Sequence, residues 1–144
     1  MEPVELSALP EGALVLLDSA PIIYFLEGHP KYAARLRPLF ERHADGRLLF
    51  GVATITIAEV LTGPLASGDE ALAKRFRAVL ESWQVVALTG DIAESAARLR
   101  ASLKLKHPDA IQVASAIALN ADALVTHERD FPKVSALPVL SIDH

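Results

Sequence analysis

The sequence predicts an α/β fold of the doubly wound class, with helices on both faces of a mostly parallel sheet. Short apolar runs alternate with segments whose apolar residues recur at helical spacing. The connections between them are short and carry turn signals such as Asp45-Gly46. Strands that alternate with helices over short connections form βαβ units, and these units build a parallel sheet.

Composition limits the organisation of the chain. Its 144 residues, 51% of them apolar, suit one domain with a sizeable core. We expect this domain to span 13–144, after a leader over 1–12 that carries no chemistry. The absence of cysteine excludes disulfides and thiolate metal ligands. Glu2 and Glu5 stand where a secretory signal would be basic, and no apolar stretch suits a membrane span, so we expect a cytoplasmic protein.

Five apolar runs are predicted to be strands. The first, 13–17, is unbroken, as is typical of a strand buried on both faces of a parallel sheet. The others are equally short, and turn residues or helical segments bound them. In chain order the predicted strands are 13–17, 48–53, 85–88, 123–125 and 138–142.

Six segments between these runs are predicted to be helices. In chain order they are 22–26, 31–44, a helix that starts at 54–56, and the segments 69–83, 92–103 and 110–120. Pro21 suits the start of the first helix, because a proline there loses no hydrogen bond. Pro38 predicts a kink or a division into two short helices in the second. Gly63-Pro64 predicts a loop after the third.

Asp18 is the residue on which the functional interpretation depends. It follows the run 13–17 directly, at the carboxyl end of a predicted central strand. Open α/β sheets bind their ligands at that end, so Asp18 is a candidate metal ligand. The alternative is an N-cap carboxylate that only starts the next helix. The choice depends on which other acids lie at the same end of the sheet.

Two other acids also have a structural alternative. Glu59 stands three residues after Thr56, the spacing of a capping box, but it could equally point into the crevice beside Asp18. We favour the functional interpretation of Glu59, because Asp18 needs partners. Asp91 has the same spacing to Glu94, and there we favour the helix cap.

Asp109 and Glu128 bring the set of candidate acids to four. Each follows a predicted strand or begins a predicted helix, so the four acids converge at one edge of the sheet. Carboxylates about 4 Å apart repel by roughly 4 kcal/mol at an effective dielectric near 20. Such a cluster therefore binds a cation or keeps a proton, and Mg²⁺ or Mn²⁺ suits oxygen ligands. The net charge of −4 argues against gripping nucleic acid by overall charge, although bound divalent ions would reduce the repulsion of a phosphate.

Four motifs occur in a recognisable order. They are the strand that ends in Asp18-Ser19, the segment Thr56-Ile57-Ala58-Glu59-Val60, the segment Pro108-Asp109-Ala110, and 121–131 with Thr126, Glu128 and Asp130-Phe131. Their order and separation resemble a PIN-domain protein, and most of all the VapC-type toxins of bacterial and archaeal toxin–antitoxin pairs. The resemblance covers nearly the whole chain, from about Leu14 to Ile142.

The resemblance implies a PIN-like three-layer α/β/α sandwich and a site for Mg²⁺ or Mn²⁺. The catalytic and metal-binding residues that it implies are Asp18, Glu59, Asp109 and Glu128, and the supporting residues are Thr126, Ser19 and Asp130. Two positions depart from the family pattern. Ala20 stands where many members have Asn near the first Asp, and Glu128 is one methylene longer than the usual Asp. The longer side chain would shift or weaken a second metal.

The activity implied by the resemblance is endoribonuclease cleavage of an RNA phosphodiester. A metal-activated water would leave a 5′-phosphate and a 3′-hydroxyl. Family resemblance also implies a homodimer inhibited by a small antitoxin protein. The alternative is a PIN domain that has lost catalysis and serves as a binding or scaffold module. The departures from the family pattern at Ala20 and Glu128 are the reason to retain this alternative.

Two other α/β classes fit the residues less well. A phosphotransfer receiver or an Asp-nucleophile phosphatase needs another acid close to Asp18, and Ser19-Ala20-Pro21 supplies none. A dinucleotide-binding domain needs a glycine-rich turn after the first strand, and this turn is missing from the sequence.

Overall fold

A computed structural model describes residues 6–7, 9–128, 131–132, 134 and 137–142. In these residues five strands form one parallel sheet in the order β3-β2-β1-β4-β5. The strands are β1 (Ala13–Leu17), β2 (Leu48–Ala53), β3 (Gln84–Val86), β4 (Ala123–Thr126) and β5 (Val139–Ser141). The helices are α1 (Ser19–Leu26), α2 (Ala33–Ala44), α3 (Thr54–Ala66), α4 (Glu70–Glu81), α5 (Gly90–Leu103) and α6 (His107–Ala118).

The central strand β1 supplies side chains to both hydrophobic cores. Val15 and Leu17 point to the core formed with α1 to α4, whereas Leu16 points to the core formed with α5 and α6. Alternate residues of a strand face opposite sides of the sheet, so an unbroken apolar run is required where both sides are covered. The three-layer α/β/α sandwich is thereby confirmed. Among the described residues, the helices are too short or too polar to cross a membrane.

Several helix boundaries differ from the predictions. The helix α1 begins at Ser19, three residues early, because the Asp18 carboxylate accepts a hydrogen bond from the Ser19 amide. The helix α2 continues through Pro38 as one helix. The loop predicted at Gly63-Pro64 is wrong, since α3 runs on to Ala66 with Pro64 buried. The hydroxyl of Ser67 donates to the carbonyls of Gly63 and Pro64 and so satisfies two acceptors at the end of the helix.

The two capping boxes are also wrong. Ala53 is the N-cap of α3, and no side chain caps that end, so Thr56 and Glu59 lie inside the helix. Thr89 caps α5 instead of Asp91, with its hydroxyl 3.3 Å from the amide nitrogen of Ile92. A threonine two residues earlier already satisfies the free amide, which leaves Asp91 exposed in the first turn.

The cap of α5 gives a prediction about stability. Replacing Thr89 with Ala should lower the free energy of unfolding by about 1 kcal/mol, because the Ile92 amide loses its acceptor. Replacing Asp91 with Asn should cost only about 0.3–1 kcal/mol, through its weaker interaction with the helix dipole. Urea denaturation of the two variants beside the wild type measures both. A larger loss in Asp91→Asn than in Thr89→Ala would contradict the assignment of the cap.

Candidate functional site

Asp18 leaves the carboxyl end of the central strand and is held from two sides. Its Oδ1 accepts a hydrogen bond from the Ser19 amide at 2.7 Å, and its Oδ2 accepts one from the Thr126 hydroxyl at 3.1 Å. Thr126 is the last residue of β4, whose pairing with β1 aligns Leu17 with Val125. Asp18 is therefore an N-cap and a member of the acidic group at once, so the two interpretations of this residue do not exclude each other.

Thr126 connects Asp18 to Glu128. The amide nitrogen of Glu128 lies 3.3 Å from the Thr126 hydroxyl oxygen, which accepts its hydrogen bond while donating to Asp18. His127 lies between them in sequence, and its ring packs edge-on against Tyr24 and Tyr32, with centroids 5.5 and 5.2 Å apart. These contacts fix the segment that leaves β4. Asp130, the other predicted supporting residue here, lies outside the described residues.

Glu59 and Asp18 share a hydrogen-bonding partner. Glu59 lies in the second turn of α3, and its carboxylate is hydrogen-bonded to the Ser19 side chain. The Ser19 side chain also hydrogen-bonds to Asp18. The Ser19 hydroxyl therefore lies beside both carboxylates, and its supporting role stays a prediction.

Asp109 lies in the first turn of α6 and is electrostatically coupled to the other three acids. Burial is the main cause that raises its pKa to about 6, followed by the charges of Glu128, Asp18 and Glu59. The nearby Lys106 ammonium opposes this shift and lowers the pKa of Asp109. The structure therefore brings the four predicted acids, from four separate segments, within electrostatic range of one another.

The pKa values of Asp18 and Glu59 are raised as well. For Asp18 the main cause is burial, and Glu128 adds repulsion that hydrogen bonds from Ser19 and Thr126 oppose. For Glu59 the main cause is burial, followed by the charge of Asp18. Each shift means that the folded protein disfavours the ionised carboxylate in the absence of a cation. This is the electrostatic pattern expected of a group of acids that binds positive charge.

The described acidic side chains do not converge on one position that a metal ion could occupy. Among the described residues, no three His, Asp or Glu side chains stand close enough to hold a metal ion in their present orientations. The acids do fit a hard divalent cation chemically, because all of their donors are oxygens and their charges raise one another's pKa.

A buried contact between α3 and α6 was not predicted from the sequence. Gln112 of α6 donates a hydrogen bond from Nε2 to the Thr56 hydroxyl of α3 at 2.6 Å, with both side chains buried. Lys106, to which the sequence analysis assigns no role, is a cation near Asp109 that lowers its pKa. The available signal for Gln112 was an amide in the stretch 110–118, where the only other polar residue is Ser115.

Comparisons with known proteins agree with this architecture. Residues 15–137 match the model of the PIN domain family. No curated protein sequence matches the chain. Among solved structures, a toxin–antitoxin complex from Klebsiella pneumoniae is similar to this chain at 26% identity and a TM-score of 0.69, covering 89% of this chain and 97% of its own.

Two further solved structures share the fold at lower identity. VapBC-1 from nontypeable Haemophilus influenzae is 23% identical with a TM-score of 0.67, and the match covers 90% of this chain and 98% of that one. VapC20 from Mycobacterium tuberculosis, a toxin that cleaves the sarcin–ricin loop, is 13% identical with a TM-score of 0.61, over 76% and 86% of the two chains. Since the family match spans most of the sequence, the chain belongs to the PIN domain family.

Proposed function

We propose that this protein is a metal-dependent endoribonuclease and the toxin of a toxin–antitoxin pair. The observation that carries the proposal is the electrostatic coupling of Asp109 to Asp18, Glu59 and Glu128 at the carboxyl end of a PIN-domain sheet. The similarity to a toxin–antitoxin complex and to a toxin that cleaves the sarcin–ricin loop supports the proposed class of activity and the toxin role. In this proposal the four acids form the active site of a nuclease, and the fold positions them near one another.

The four acids are the proposed ligands of Mg²⁺ or Mn²⁺. Asp18 and Asp109 are partly buried, whereas Glu59 and Glu128 are more exposed. Ser19 and Thr126 hold the carboxylates of Asp18 and Glu59 in orientation through their hydroxyls. The longer side chain of Glu128 is compatible with this role, because its charge acts on both Asp18 and Asp109.

Cleavage needs a nucleophilic water, an oriented phosphate and stabilisation of the leaving oxygen. A bound Mg²⁺ or Mn²⁺ supplies a water of lowered pKa and charge stabilisation at the phosphate oxygens. The carboxylates of the four acids repel the phosphates of the RNA backbone, and a bound cation would offset this repulsion. Lys106, beside Asp109, binds a phosphate of the RNA backbone. Cleavage then yields a 5′-phosphate and a 3′-hydroxyl, and single-stranded loops are the preferred targets.

The proposed antitoxin binds an apolar groove that is separate from the acids. The groove has a volume of about 450 Å³, and its lining comes from α1, α2, α4 and the turn after α4, including Phe25, Phe40, Val79 and Trp83. None of the four acids lines it. An amphipathic segment of a partner protein suits such a groove. A homodimer of the toxin completes the proposed assembly.

The alternative function is a PIN domain that binds partners without catalysis. Ala20 and Glu128 are the two departures from the family pattern that would support it. The position of Glu128 favours the nuclease, because its charge reaches Asp18 and Asp109 despite the extra methylene. RNA cleavage separates the two functions directly.

Divalent metal should stabilise the wild type more than the Asp18→Asn variant. At a metal concentration about 100 times the Kd, binding raises the free energy of unfolding by about 2.7 kcal/mol. Without metal, Asp18→Asn should be as stable as the wild type or slightly more stable, because a carboxylate with a raised pKa is removed. Thermal unfolding across a Mn²⁺ titration measures both effects. Glu94→Gln, at an exposed acid paired with Arg98, is the matched control. Equal midpoint shifts in the wild type and Asp18→Asn would contradict the metal site.

Cleavage of a fluorescent single-stranded RNA should depend on the same acids. In Mn²⁺, the variants Asp18→Asn and Asp109→Asn should each lose at least about 100-fold in rate, the scale of removing a group that acts directly in the reaction. Glu94→Gln should cleave at the wild-type rate. If Asp18→Asn cleaved as fast as the wild type, the nuclease function would be refuted, and if wild type and variant bound RNA without cleaving it, the scaffold function would be favoured.

The metal-free protein should lose stability as the pH rises from about 4 to about 6, with no further loss from Asp109 above that range. The folded pKa of Asp109 is raised from 3.8 to about 6, so the folded state binds more protons than the unfolded state between these values. Its contribution is therefore unfavourable above about pH 6 and disappears toward about pH 4. The test compares unfolding free energies of wild type and Asp109→Asn in EDTA, where the wild type should gain relative to the variant on acidification. Saturating Mn²⁺ should reverse the trend, because metal ligands must be ionised. A difference independent of pH in EDTA would contradict the assignment.

A further inference from the structure

A buried hydrogen bond joins the two helical layers at the end of the sheet where the acids lie. Gln112 of α6 donates to the hydroxyl of Thr56 in α3 at 2.6 Å. The helix α3 packs mainly on α1, α4 and β2, and α6 packs mainly on α5 and on the sheet. Val60 of α3 belongs to one hydrophobic core, and Val113 of α6 belongs to the other. Both helices also pack on β2, and this bond links them directly to each other.

The position of this bond relates it to the acids. Glu59 follows Thr56 by three residues, and Asp109 precedes Gln112 by three, so each acid lies one turn from its bonding neighbour on the same side of the helix. Side chains of a helix lean toward its N-terminus. Any change in the distance between Thr56 and Gln112 is accordingly transmitted to the distance between Glu59 and Asp109.

Burial of both groups makes this hydrogen bond specific for one arrangement of the two helices. Thr56 and Gln112 have exposed fractions of 0% and 1%, so water does not compete for these groups. Among the described residues, Gln112 Oε1 has no partner, which leaves the donor side of the amide as its anchor. A buried polar pair that has one satisfied arrangement favours one spacing of the two helices, because other spacings leave both groups unpaired.

We propose that Thr56 and Gln112 are positioning residues that set the separation of Glu59 and Asp109 and thereby the affinity of the site for a divalent cation. The inference rests on the proposed metal site. Neither residue contacts the cation, and both act through the acids that lie one turn away. Groups that orient metal ligands in this indirect way typically change metal affinity by about 10- to 100-fold when they are removed.

The experiment measures Mn²⁺ affinity by calorimetry in the full chain. Thr56→Val and Gln112→Met should each weaken Mn²⁺ binding by about 10-fold, since each removes one half of the bond and keeps the side-chain volume similar. Thr56→Ser should restore wild-type affinity, because it keeps the hydroxyl. The double variant should bind no more weakly than either single variant, as expected for two residues that act through one contact.

Ser115→Ala is the matched control. Ser115 is buried in α6 one turn beyond Gln112, with an exposed fraction of 1% and no hydrogen-bond partner among the described residues. It should leave Mn²⁺ affinity unchanged and should keep or raise the thermal midpoint, because it removes a buried hydroxyl that has no partner among the described residues. Unchanged affinity in Thr56→Val and Gln112→Met, or an equal loss in Ser115→Ala, would overturn the inference. Absence of Mn²⁺ binding in the wild type would instead refute the proposed function, so the two failures are distinguishable. If Thr56→Val does not fold, Gln112→Met and Thr56→Ser still decide the outcome.

Discussion

Repulsion among four carboxylates is the constraint on which the rest of this structure depends. Asp18, Glu59, Asp109 and Glu128 come from four segments, and the fold holds them within range of one another's charge. Like charges in a partly buried site raise the free energy of the folded state. Only a scaffold that is stable without them can hold such a group, and the central strand, with all but one of its side chains buried, contributes to that stability.

Hydroxyls and one cation partly offset this repulsion inside the site. Ser19 hydrogen-bonds to Asp18 and Glu59, Thr126 donates to Asp18, and Lys106 lies near Asp109. Hydrogen bonds to an ionised carboxylate favour the charged form, so each of these groups lowers the pKa that burial raises. The result is a group of acids that remains ionisable, although burial and mutual repulsion disfavour their charged forms in the metal-free fold.

The sequence and the structure agree best where one dominant force acts. An unbroken apolar run has one good environment, the interior of a parallel sheet, so β1 and β2 were predicted with their observed bounds. Helix ends are decided by smaller and competing terms. Thr89 and Asp91 are both residue types that cap helices well. Which of them becomes the N-cap depends on backbone angles that local spacing does not specify.

By itself the sequence determined the class of fold, the strands of the sheet and the acids that follow them, because burial and strand polarity act through residue order alone. The tertiary structure decided how these acids interact. It made Asp18 both a helix cap and a member of the acidic group. It placed Glu59 and Thr56 inside α3, where they form no capping box, and it paired Thr56 with Gln112, which is 56 residues away. These outcomes depend on distances between segments remote in sequence, and such distances are set only when both cores are packed.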